Sequence, residues 1–225
     1  MSIDQFGSGY KVFPERYRAP VSSWTDTASA RRSTAHSDHR ADRRAAIVAA
    51  AAEAIERYGA DASTAQVAEL AGVARPHVYR HFSSKDELVD EAARYAAAQL
   101  RAAVRPTLAR QGEPLVAIAG PVAAAVDWAA AHPTLYRFIT QRPASGFRPS
   151  RTHFLEEIVA ATREFVERQG LEVRPPDAVL AGLMGMVDTS IRWWLDHDDE
   201  PRDALITRLS EQVWLVLGTL LERER

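Results

Sequence analysis

A dense cluster of hydrogen-bonding side chains lies between residues 75 and 81. The donors in this stretch are Arg75, His77, Tyr79, Arg80 and His81. Arginine donates two parallel hydrogen bonds to guanine O6 and N7, and the other side chains suit base edges or phosphate oxygens. The cluster predicts nucleic-acid binding, with Arg75 on a guanine and His77 next to it on a base edge or a phosphate.

Two short helices and a tight turn are predicted to hold these donors. Ser63 with Gln66 fits a capping box, in which a hydroxyl and an amide satisfy free N–H groups at a helix start. Gly72 comes where that helix ends, because glycine takes the left-handed conformation without steric cost. Pro76 falls in the first turn of the next helix, where proline is tolerated. Residues 63–88 are therefore predicted to form a helix-turn-helix, which places its second helix in the major groove.

The second helix also has an apolar side, and the sequence after it marks the start of another helix. Val78 and Phe82 share one side of it and are predicted to face the protein interior. Ser84 with Glu87 makes a second capping box, which predicts the start of a further helix.

The segment GVARPHVYRHFSSKDEL, residues 72–88, resembles the signature of the tetracycline-repressor (TetR) family of bacterial transcriptional regulators. Residues 44–59 are similar to the family's first helix, which ends in an aromatic residue and a glycine. The resemblance covers residues 40–89 with agreement in both spacing and residue chemistry. The rest of the chain resembles the family only in its helical architecture.

The resemblance implies a set of phosphate contacts. The positions that match are Arg44, Thr64, Tyr79, His81 and Lys85. For His81, a structural helix cap is an equal alternative. Ala74 replaces a capping serine or threonine, so one cap bond is expected to be lost. Pro76 and His77 replace a small residue and a threonine, so the bases read here are particular to this chain.

The function that the resemblance implies is sequence-specific DNA binding by a homodimer on a palindromic operator. We expect a repressor that a small apolar effector releases. A DNA-binding architectural or co-regulator protein without an effector is one alternative, and an all-helical enzyme is another. The enzyme alternative is weak, because the sequence has no nucleophile elbow, glycine-rich phosphate loop or HExxH motif. We therefore predict no catalytic residue, no cofactor and no metal.

Three segments are predicted in an all-α chain. Residues 1–38, rich in Ser, Thr, Gly and Pro, are interpreted as a flexible arm. Residues 39–84 are predicted to form a three-helix DNA-binding head. Residues 85–225 are predicted to form an effector-binding and dimerisation domain of about six helices.

The arm carries arginines that could contact DNA. Those predicted to follow the minor groove are Arg16, Arg18, Arg31 and Arg32. The alternative is a solvated tail, or a strap that packs through Tyr10, Phe13 and Tyr17.

Composition and charge narrow the class of protein. The sequence holds no cysteine, which excludes disulfides, thiolate zinc sites and cysteine nucleophiles. No apolar run approaches the ~20 residues that span a bilayer, and no secretion signal is recognised, so we expect a cytoplasmic protein without a membrane partner. Residues 31–85 carry nine Lys/Arg against six Asp/Glu, whereas residues 86–225 carry sixteen against twenty-one. A basic head on an acidic body fits phosphate binding at one end.

The last two predicted helices carry more apolar surface than one neighbouring helix would cover. Their apolar residues recur at helical spacing and are Leu180, Leu183, Met184, Val187, Ile191, Trp194 and Leu195, then Leu205, Leu209, Val213, Val216, Leu217 and Leu220. Trp193 and Trp214 widen the two stripes. We expect these helices to form a homodimer interface, which in the TetR family is a four-helix bundle. A thick core within one chain is the alternative.

The middle helices supply apolar residues for an effector cavity. The candidates are Leu100, Val104, Leu108, Val122, Val126, Trp128, Tyr136, Ile139, Phe154 and Ile158. Of these we assign to ligand binding Leu100, Val104, Trp128, Tyr136 and Phe154. For each, a place in the core is the alternative. The helix that starts at Ser84, and that Pro106 is predicted to end, would connect this cavity to the head.

Two carboxylates interrupt apolar stretches of the body. Asp127 lies beside Trp128, and Asp188 sits within MGMVDTSIRWW. A carboxylate beside aromatic rings could orient a ligand, and we assign Asp188 to that role. The alternative is a carboxylate on the helix surface, paired in the case of Asp188 with Arg192 four residues later.

Overall fold

The computed structural model describes residues 22–108, 113–141, 160, 164 and 176–223, and the regular secondary structure in these ranges is helical. The helices are α1 (Ser22–Tyr58), α2 (Thr64–Leu70), α3 (Arg75–His81), α4 (Lys85–Leu108), α5 (Pro114–Ala131), α6 (Pro133–Gln141), α7 (Asp177–His197) and α8 (Arg202–Arg223). The predicted all-α fold class is confirmed.

The first helix starts earlier than the sequence analysis indicated. α1 begins at Ser22, inside the segment interpreted as a flexible arm. No glycine or proline occurs between Ser22 and Tyr58, so no residue breaks the backbone pattern of a helix. The early turns were missed because a regular apolar stripe begins only near Ile47. α1 ends at Tyr58, where Gly59 takes a φ of +87°.

By its contacts the chain divides into two units, residues 1–43 and residues 44–225. The arm arginines predicted to follow the minor groove all belong to the first unit. Residues 1–21 lie outside the described part of the chain, as do the side chains of Arg31 and Arg32. A role of the arm in DNA binding therefore stays a prediction, and the sites described below belong to the second unit.

The segment predicted as a helix-turn-helix folds as one. The Ser63 hydroxyl accepts a hydrogen bond from Gln66 N at 3.2 Å, and Gln66 Oε1 accepts one from Ser63 N at 2.7 Å, so the capping box is confirmed. Gly72 has a φ of +63°, the left-handed conformation that the turn requires. Val78 and Phe82 are buried and join α3 to the core. The N-terminus of α3 has no side-chain cap, as the alanine before it predicted.

The start of α4 differs from the predicted capping box in one bond. Ser84 Oγ accepts a hydrogen bond from Glu87 N at 3.1 Å, as expected of a cap. The Glu87 carboxylate, however, accepts from Ser83 N at 2.7 Å and from Ser83 Oγ at 2.6 Å. Ser83 offers this oxygen two donors, its N–H and its O–H, whereas the capping box would offer it only the backbone N–H of Ser84.

The far end of α4 corrects a second prediction. The helix runs to Leu108 and passes through Pro106, which was predicted to end it. A proline removes one N–H from the ladder, and only the last residues of the helix follow this one. In that last turn the Thr107 hydroxyl donates to the Val104 carbonyl at 2.6 Å, which adds a side-chain hydrogen bond.

In the body, α5 is the central helix. It packs against α4 and α8 and also contacts α6 and α7. One apolar core joins these helices to the head, and its most deeply buried side chains include Ile47, Leu88, Val126, Leu205 and Leu209. Because the core is continuous from α1 to α8, a shift of a body helix is transmitted to the head by direct packing.

Across the described ranges, no single helix is both long and apolar enough to cross a membrane. Two consecutive segments, Leu115–Ala131 and Pro133–Gln141, have the required length and composition only as a pair, and they are bent by 110° at the break between them. Several of their apolar side chains, including Val126 and Trp128, are buried in the core.

Candidate DNA-binding interface

Thr64, Arg75 and Tyr79 form one hydrogen-bonded group between α2 and α3. Arg75 Nε donates to Thr64 Oγ1 at 3.2 Å, and the hydroxyl oxygens of Thr64 and Tyr79 are also 3.2 Å apart. The guanidinium carbon of Arg75 lies 5.9 Å from the centre of the Tyr79 ring. Thr64 is 6% exposed, whereas Tyr79 is 48% exposed. The group therefore has one buried anchor and two members that solvent, or DNA, can reach.

Positive charge surrounds the hydroxyl of Tyr79. The hydrogen bond with Thr64 lowers the pKa of Tyr79 below its ordinary value of 10.0, and interactions with Arg75 and the charge of Lys85 lower it further, against the effect of desolvation. Lys85 acts from the start of α4, where its ammonium group donates to the Asp61 carbonyl at 3.2 Å. Donors and cations gathered in this way suit the oxygens of a phosphate.

The structure thus brings together four of the residues predicted to contact DNA, namely Thr64, Arg75, Tyr79 and Lys85. His77 and His81 lie on the same helix as Arg75, and both are half-buried. Their contacts with DNA stay predictions, as does the alternative of a helix cap for His81.

Arg44 lies in a different environment from the other predicted phosphate contacts. Its Nη2 is 3.0 Å from Glu91 Oε1 and 3.4 Å from Glu87 Oε1. Its guanidinium carbon stands 4.6 Å from the centre of the Phe82 ring. These contacts tie α1 to the first turns of α4. The sequence held a signal for them, because two carboxylates four residues apart face the same side of a helix and favour a shared cation.

A second tie between head and body was not predicted. The carboxylate of Glu56, on α1, accepts hydrogen bonds from Leu135 N at 2.8 Å and from Thr134 N at 3.3 Å. It therefore caps the N-terminus of α6, where the first backbone N–H groups have no partner within the helix. In the sequence, His132 before α6 is a poor N-cap residue, which indicated that the cap of this helix comes from another group. It could not indicate that the group is Glu56.

Four of the predicted effector-binding residues lie together in the structure. Leu100, Val104, Trp128 and Tyr136 are buried in the same core cluster of α4, α5 and α6. The rings of Trp128 and Tyr136 are 6.3 Å apart between centres and tilted by 55°. Phe154 lies outside the described residues. All four described side chains pack as a core would pack them, so their role in binding a ligand stays a prediction.

Asp188 lies on α7, outside that core cluster. Its Oδ2 is 3.3 Å from Arg192 Nη2, which is the i,i+4 pair named as the alternative. Its side chain is 17% exposed, and within the described part of the chain the buried Oδ1 accepts no hydrogen bond. Pairing with Arg192 therefore leaves one acceptor over.

Asp127 is an exposed ion-pair partner. Its Oδ1 lies 2.5 Å from the guanidinium of Arg202, at the start of α8. Its side chain is 54% exposed, and the pair joins the end of α5 to α8. The structure therefore gives it a structural contact at the surface, which is the alternative offered for this residue.

The fold and the site define the general class of this protein. A helix-turn-helix carries an arginine at the start of its second helix, and a tyrosine and a lysine stand beside it with hydroxyl and ammonium groups at the surface. This is a DNA-binding protein of the helix-turn-helix class.

Comparison with known proteins narrows the class to a family. Residues 47–92 match the family described as "Bacterial regulatory proteins, tetR family". A tetR-family transcriptional regulator from Streptomyces coelicolor has a TM-score of 0.65 and 20% identity, over 78% of this chain and 83% of that one. The fatty acid degradation regulator FadR from Bacillus halodurans has a TM-score of 0.62 and 17% identity, over 75% and 93% of the two chains.

A third solved structure, a putative transcriptional regulator from Pseudomonas aeruginosa PAO1, has a TM-score of 0.64 and 15% identity, over 82% of this chain and 94% of that one. At these identities the structures establish the fold, while the match over residues 47–92 establishes the DNA-binding segment. The chain therefore carries the DNA-binding segment of the TetR family on a fold that these structures share, and it is a DNA-binding transcriptional regulator rather than an enzyme.

Proposed function

We propose that two copies of this chain bind a palindromic operator, repress transcription, and leave the DNA when a small apolar effector enters the body. The observation that supports DNA reading most directly is the group of Thr64, Arg75, Tyr79 and Lys85. One arginine fits a guanine edge, and the tyrosine and lysine fit the neighbouring phosphates. A two-fold protein would place two such groups roughly 34–36 Å apart, or a multiple of that distance.

Selection from random duplex DNA at a stated salt concentration tests this proposal. We expect enrichment of an inverted repeat whose half-sites each contain a guanine that depends on Arg75. Arg75→Ala should cost about 1–3 kcal/mol of binding free energy and relax the preference at that base pair. If the selection enriched no palindromic site, the proposal would be wrong. A reporter gene under the selected site then distinguishes repression from activation.

The proposed dimer interface uses the outer faces of α7 and α8. Trp193 is 57% exposed and Leu215 is 69% exposed, so each has apolar surface that a partner helix could cover. On the same outer side of α7, Gly182 and Gly185 have open space where a Cβ would stand. Small residues allow another helix to approach closely, and the large residues beside them would be covered by it.

A pair of charge substitutions tests the interface. We expect Leu215→Glu to give a monomer in sedimentation velocity and to weaken operator binding strongly, because one head contacts only one half-site. Val116→Glu is the matched control, since Val116 is 61% exposed and belongs to α5 rather than to the two helices of the proposed interface. A dimer that persists in Leu215→Glu would show that the interface lies elsewhere.

The proposed effector acts on α4. The helix carries Leu100 and Val104 in the core at one end and Lys85 beside the DNA-binding group at the other. A ligand that enters beside these core residues and Trp128 would tilt α4 and change the separation of the two heads. A coupling free energy of about 1–3 kcal/mol would reduce DNA affinity about 5–150-fold.

The chemistry of the effector follows from that environment. The candidate lining is apolar and aromatic, so we propose a small apolar molecule. A ligand that also reaches α7 could donate a hydrogen bond from one polar group to the remaining acceptor oxygen of Asp188. The relative from Bacillus halodurans is named as a fatty acid degradation regulator. Fatty acids therefore belong in a thermal-shift screen beside aromatic metabolites.

Each ligand that raises the melting temperature should be retested on the operator complex. We expect a true effector to lower operator affinity, and Trp128→Ala to abolish its effect. A ligand that raises the melting temperature and leaves operator affinity unchanged would contradict the proposal that a tilt of α4 transmits effector binding to the heads.

A further inference from the structure

Within the described residues, Thr64 is one of only two buried polar side chains, and its hydrogen bonds differ from those of the other. Ser210 donates to the Ile206 carbonyl at 2.6 Å, one turn earlier in its own helix, as serines in helices commonly do. The Thr64 hydroxyl instead contacts two side chains of the following helix, Arg75 and Tyr79. A buried hydroxyl therefore links the two helices of the DNA-binding motif.

The directions of these hydrogen bonds follow from the groups involved. The Nε of an arginine can only donate, so Thr64 Oγ1 accepts from Arg75. The Thr64 proton is then available to Tyr79, and either of the two hydroxyl oxygens can be the donor between them. Where Thr64 donates, the Tyr79 hydroxyl keeps its own proton for an acceptor outside the group, such as a phosphate oxygen.

The same arrangement restricts Arg75. Its Nε is occupied by Thr64, and one face of its guanidinium lies beside the Tyr79 ring. The remaining nitrogens of this exposed guanidinium are its two terminal ones, and the guanidinium also interacts with the Tyr79 hydroxyl. These two nitrogens form the fork that fits O6 and N7 of guanine. An arginine without such an anchor is free to reach a phosphate as easily as a base.

We propose that Thr64 is a specificity-determining residue of this regulator, which acts through Arg75 by holding its guanidinium for a guanine before DNA is bound. This inference rests on the proposed function, in which Arg75 reads a base. Thr64 is thus a positioning residue, and it need not touch DNA. The sequence analysis had assigned it a phosphate contact, so the two roles predict different effects of removing the hydroxyl.

Thr64→Val removes the hydroxyl and keeps the shape of the side chain. We expect it to reduce discrimination between the preferred guanine and other bases about 5–10-fold, the scale of one ordinary protein hydrogen bond. Affinity for non-specific DNA should stay within error of the wild type. Thr64→Ser, which retains the hydroxyl, should restore discrimination. Ser210→Ala is the matched control, because that buried hydroxyl bonds only within its own helix.

The double variant separates positioning from direct contact. In the background of Arg75→Ala, Thr64→Val should have no further effect on base preference, since the residue it acts through is gone. A loss of affinity in Thr64→Val that is equal for all sequences would overturn the proposal in favour of a phosphate contact. Unchanged preference in Thr64→Val, with preference lost in Arg75→Ala, would overturn it as well.

A measurement without DNA keeps this inference distinct from the proposed function. In the free protein, the Nε–H of Arg75 should show a high NMR order parameter, and Thr64→Val should lower it while leaving the backbone unchanged. An equally mobile Arg75 in both proteins would overturn the positioning role whatever operator is found. A protein in which Arg75 is ordered but no DNA site is selected would refute both the proposed function and the role of Thr64 in specificity. The hydrogen bond between Thr64 and Arg75 would still stand.

Discussion

Polar contacts within the DNA-binding head and within the helical body differ in how far apart their residues lie in the sequence. In the head, Ser63 and Gln66 lie three residues apart, and Thr64 reaches partners 11 and 15 residues away. In the body, Arg137 and Asp196 are separated by 59 residues, and Arg202 and Asp127 by 75. The polar contacts that join one helix to another thus span fewer residues in the head than in the body.

The difference suits the two tasks that we propose for these regions. A surface that reads bases must hold its side chains in place before DNA arrives, because ordering them on binding costs affinity. A body that responds to a ligand needs helices that can move relative to one another, and few short-range bonds oppose such movement. The continuous core and the ties of Arg44 and Glu56 are where the two regions meet.

The largest expected effect comes from Phe82→Ala, in the core under α3. Phe82 is 2% exposed and its ring lies against the Arg44 guanidinium, so we expect a loss of about 3–5 kcal/mol in the free energy of unfolding. Because this core continues into the body, DNA binding and tryptophan fluorescence should be lost at the same urea concentration. Four of the five tryptophans, all except Trp24, lie in the body. Loss of DNA binding with unchanged fluorescence would instead show that the head unfolds alone.

Next in size is Glu56→Ala, which removes the cap of α6. Two backbone N–H groups lose their acceptor, and we expect a loss of about 0.5–2 kcal/mol, measured by urea unfolding. If the body depends on long-range ties, effector response should change as well. Glu53→Ala is the matched control, because Glu53 lies one turn earlier on α1 and forms only an exposed pair with Arg57. Equal losses in the two variants would argue that the cap contributes nothing.

Lys85→Ala tests the head at its charged edge. We expect weaker binding to all DNA sequences alike and a salt dependence reduced by about one counterion, since one phosphate contact is lost. Arg105→Ala, at the other end of α4, is the control of equal charge and should leave the salt dependence unchanged. A Lys85→Ala protein that lost affinity for one base sequence only would contradict the assignment to phosphate.

The difference in range also explains what the sequence could reveal. The capping box at Ser63, the turn at Gly72 and the buried side of α3 depend on residues a few positions apart, and all were predicted correctly. The extension of α1 to Ser22 was missed because nothing interrupts the helix there and no apolar stripe marks it. The end of α4 was misplaced because a proline near the end of a helix removes little hydrogen bonding.

Contacts between residues far apart in the sequence could not be predicted from it. The types and spacing of Thr64, Arg75 and Tyr79 indicated DNA binding, but the buried hydroxyl that links them required the packing of α2 on α3. Nothing in the sequence paired Glu56 with the start of α6. For Asp127 and Asp188 the sequence left two interpretations open, and the geometry supplied an ion pair for each.

A smaller effect is expected from the pH dependence of the α4 cap. Hydrogen bonds from Ser83, with a further contribution from Arg44, hold the pKa of Glu87 below its ordinary value of 4.5. The unfolded chain therefore takes up this proton first as the pH falls. The contribution of Glu87 to stability is complete above about pH 5 and is lost as the pH drops through the lowered pKa.

Urea unfolding between about pH 6 and pH 3.5 measures this contribution. We expect Glu87→Gln and Ser83→Ala both to flatten the fall of stability in that range. Ser84→Ala, which removes only the backbone cap, should lower stability at every pH and leave the slope unchanged. A slope that Glu87→Gln does not alter would contradict the assignment.

The smallest expected effect is that of Asp127→Asn, which tests the long-range ties of the body at their weakest point. The pair of Asp127 with Arg202 is short, but the two side chains are 54% and 42% exposed. Water and salt screen such a pair, so we expect a change of no more than about 1 kcal/mol in unfolding free energy. Effector response should be unaffected, since the carboxylate lies at the surface.

Asp188→Asn is the variant to compare with it, because the Asp188 carboxylate is mostly buried and one of its oxygens accepts no hydrogen bond from the described residues. If Asp127→Asn abolished the effector response and Asp188→Asn did not, the ligand would bind near the junction of α5 and α8, and the assignment of Asp188 would be wrong.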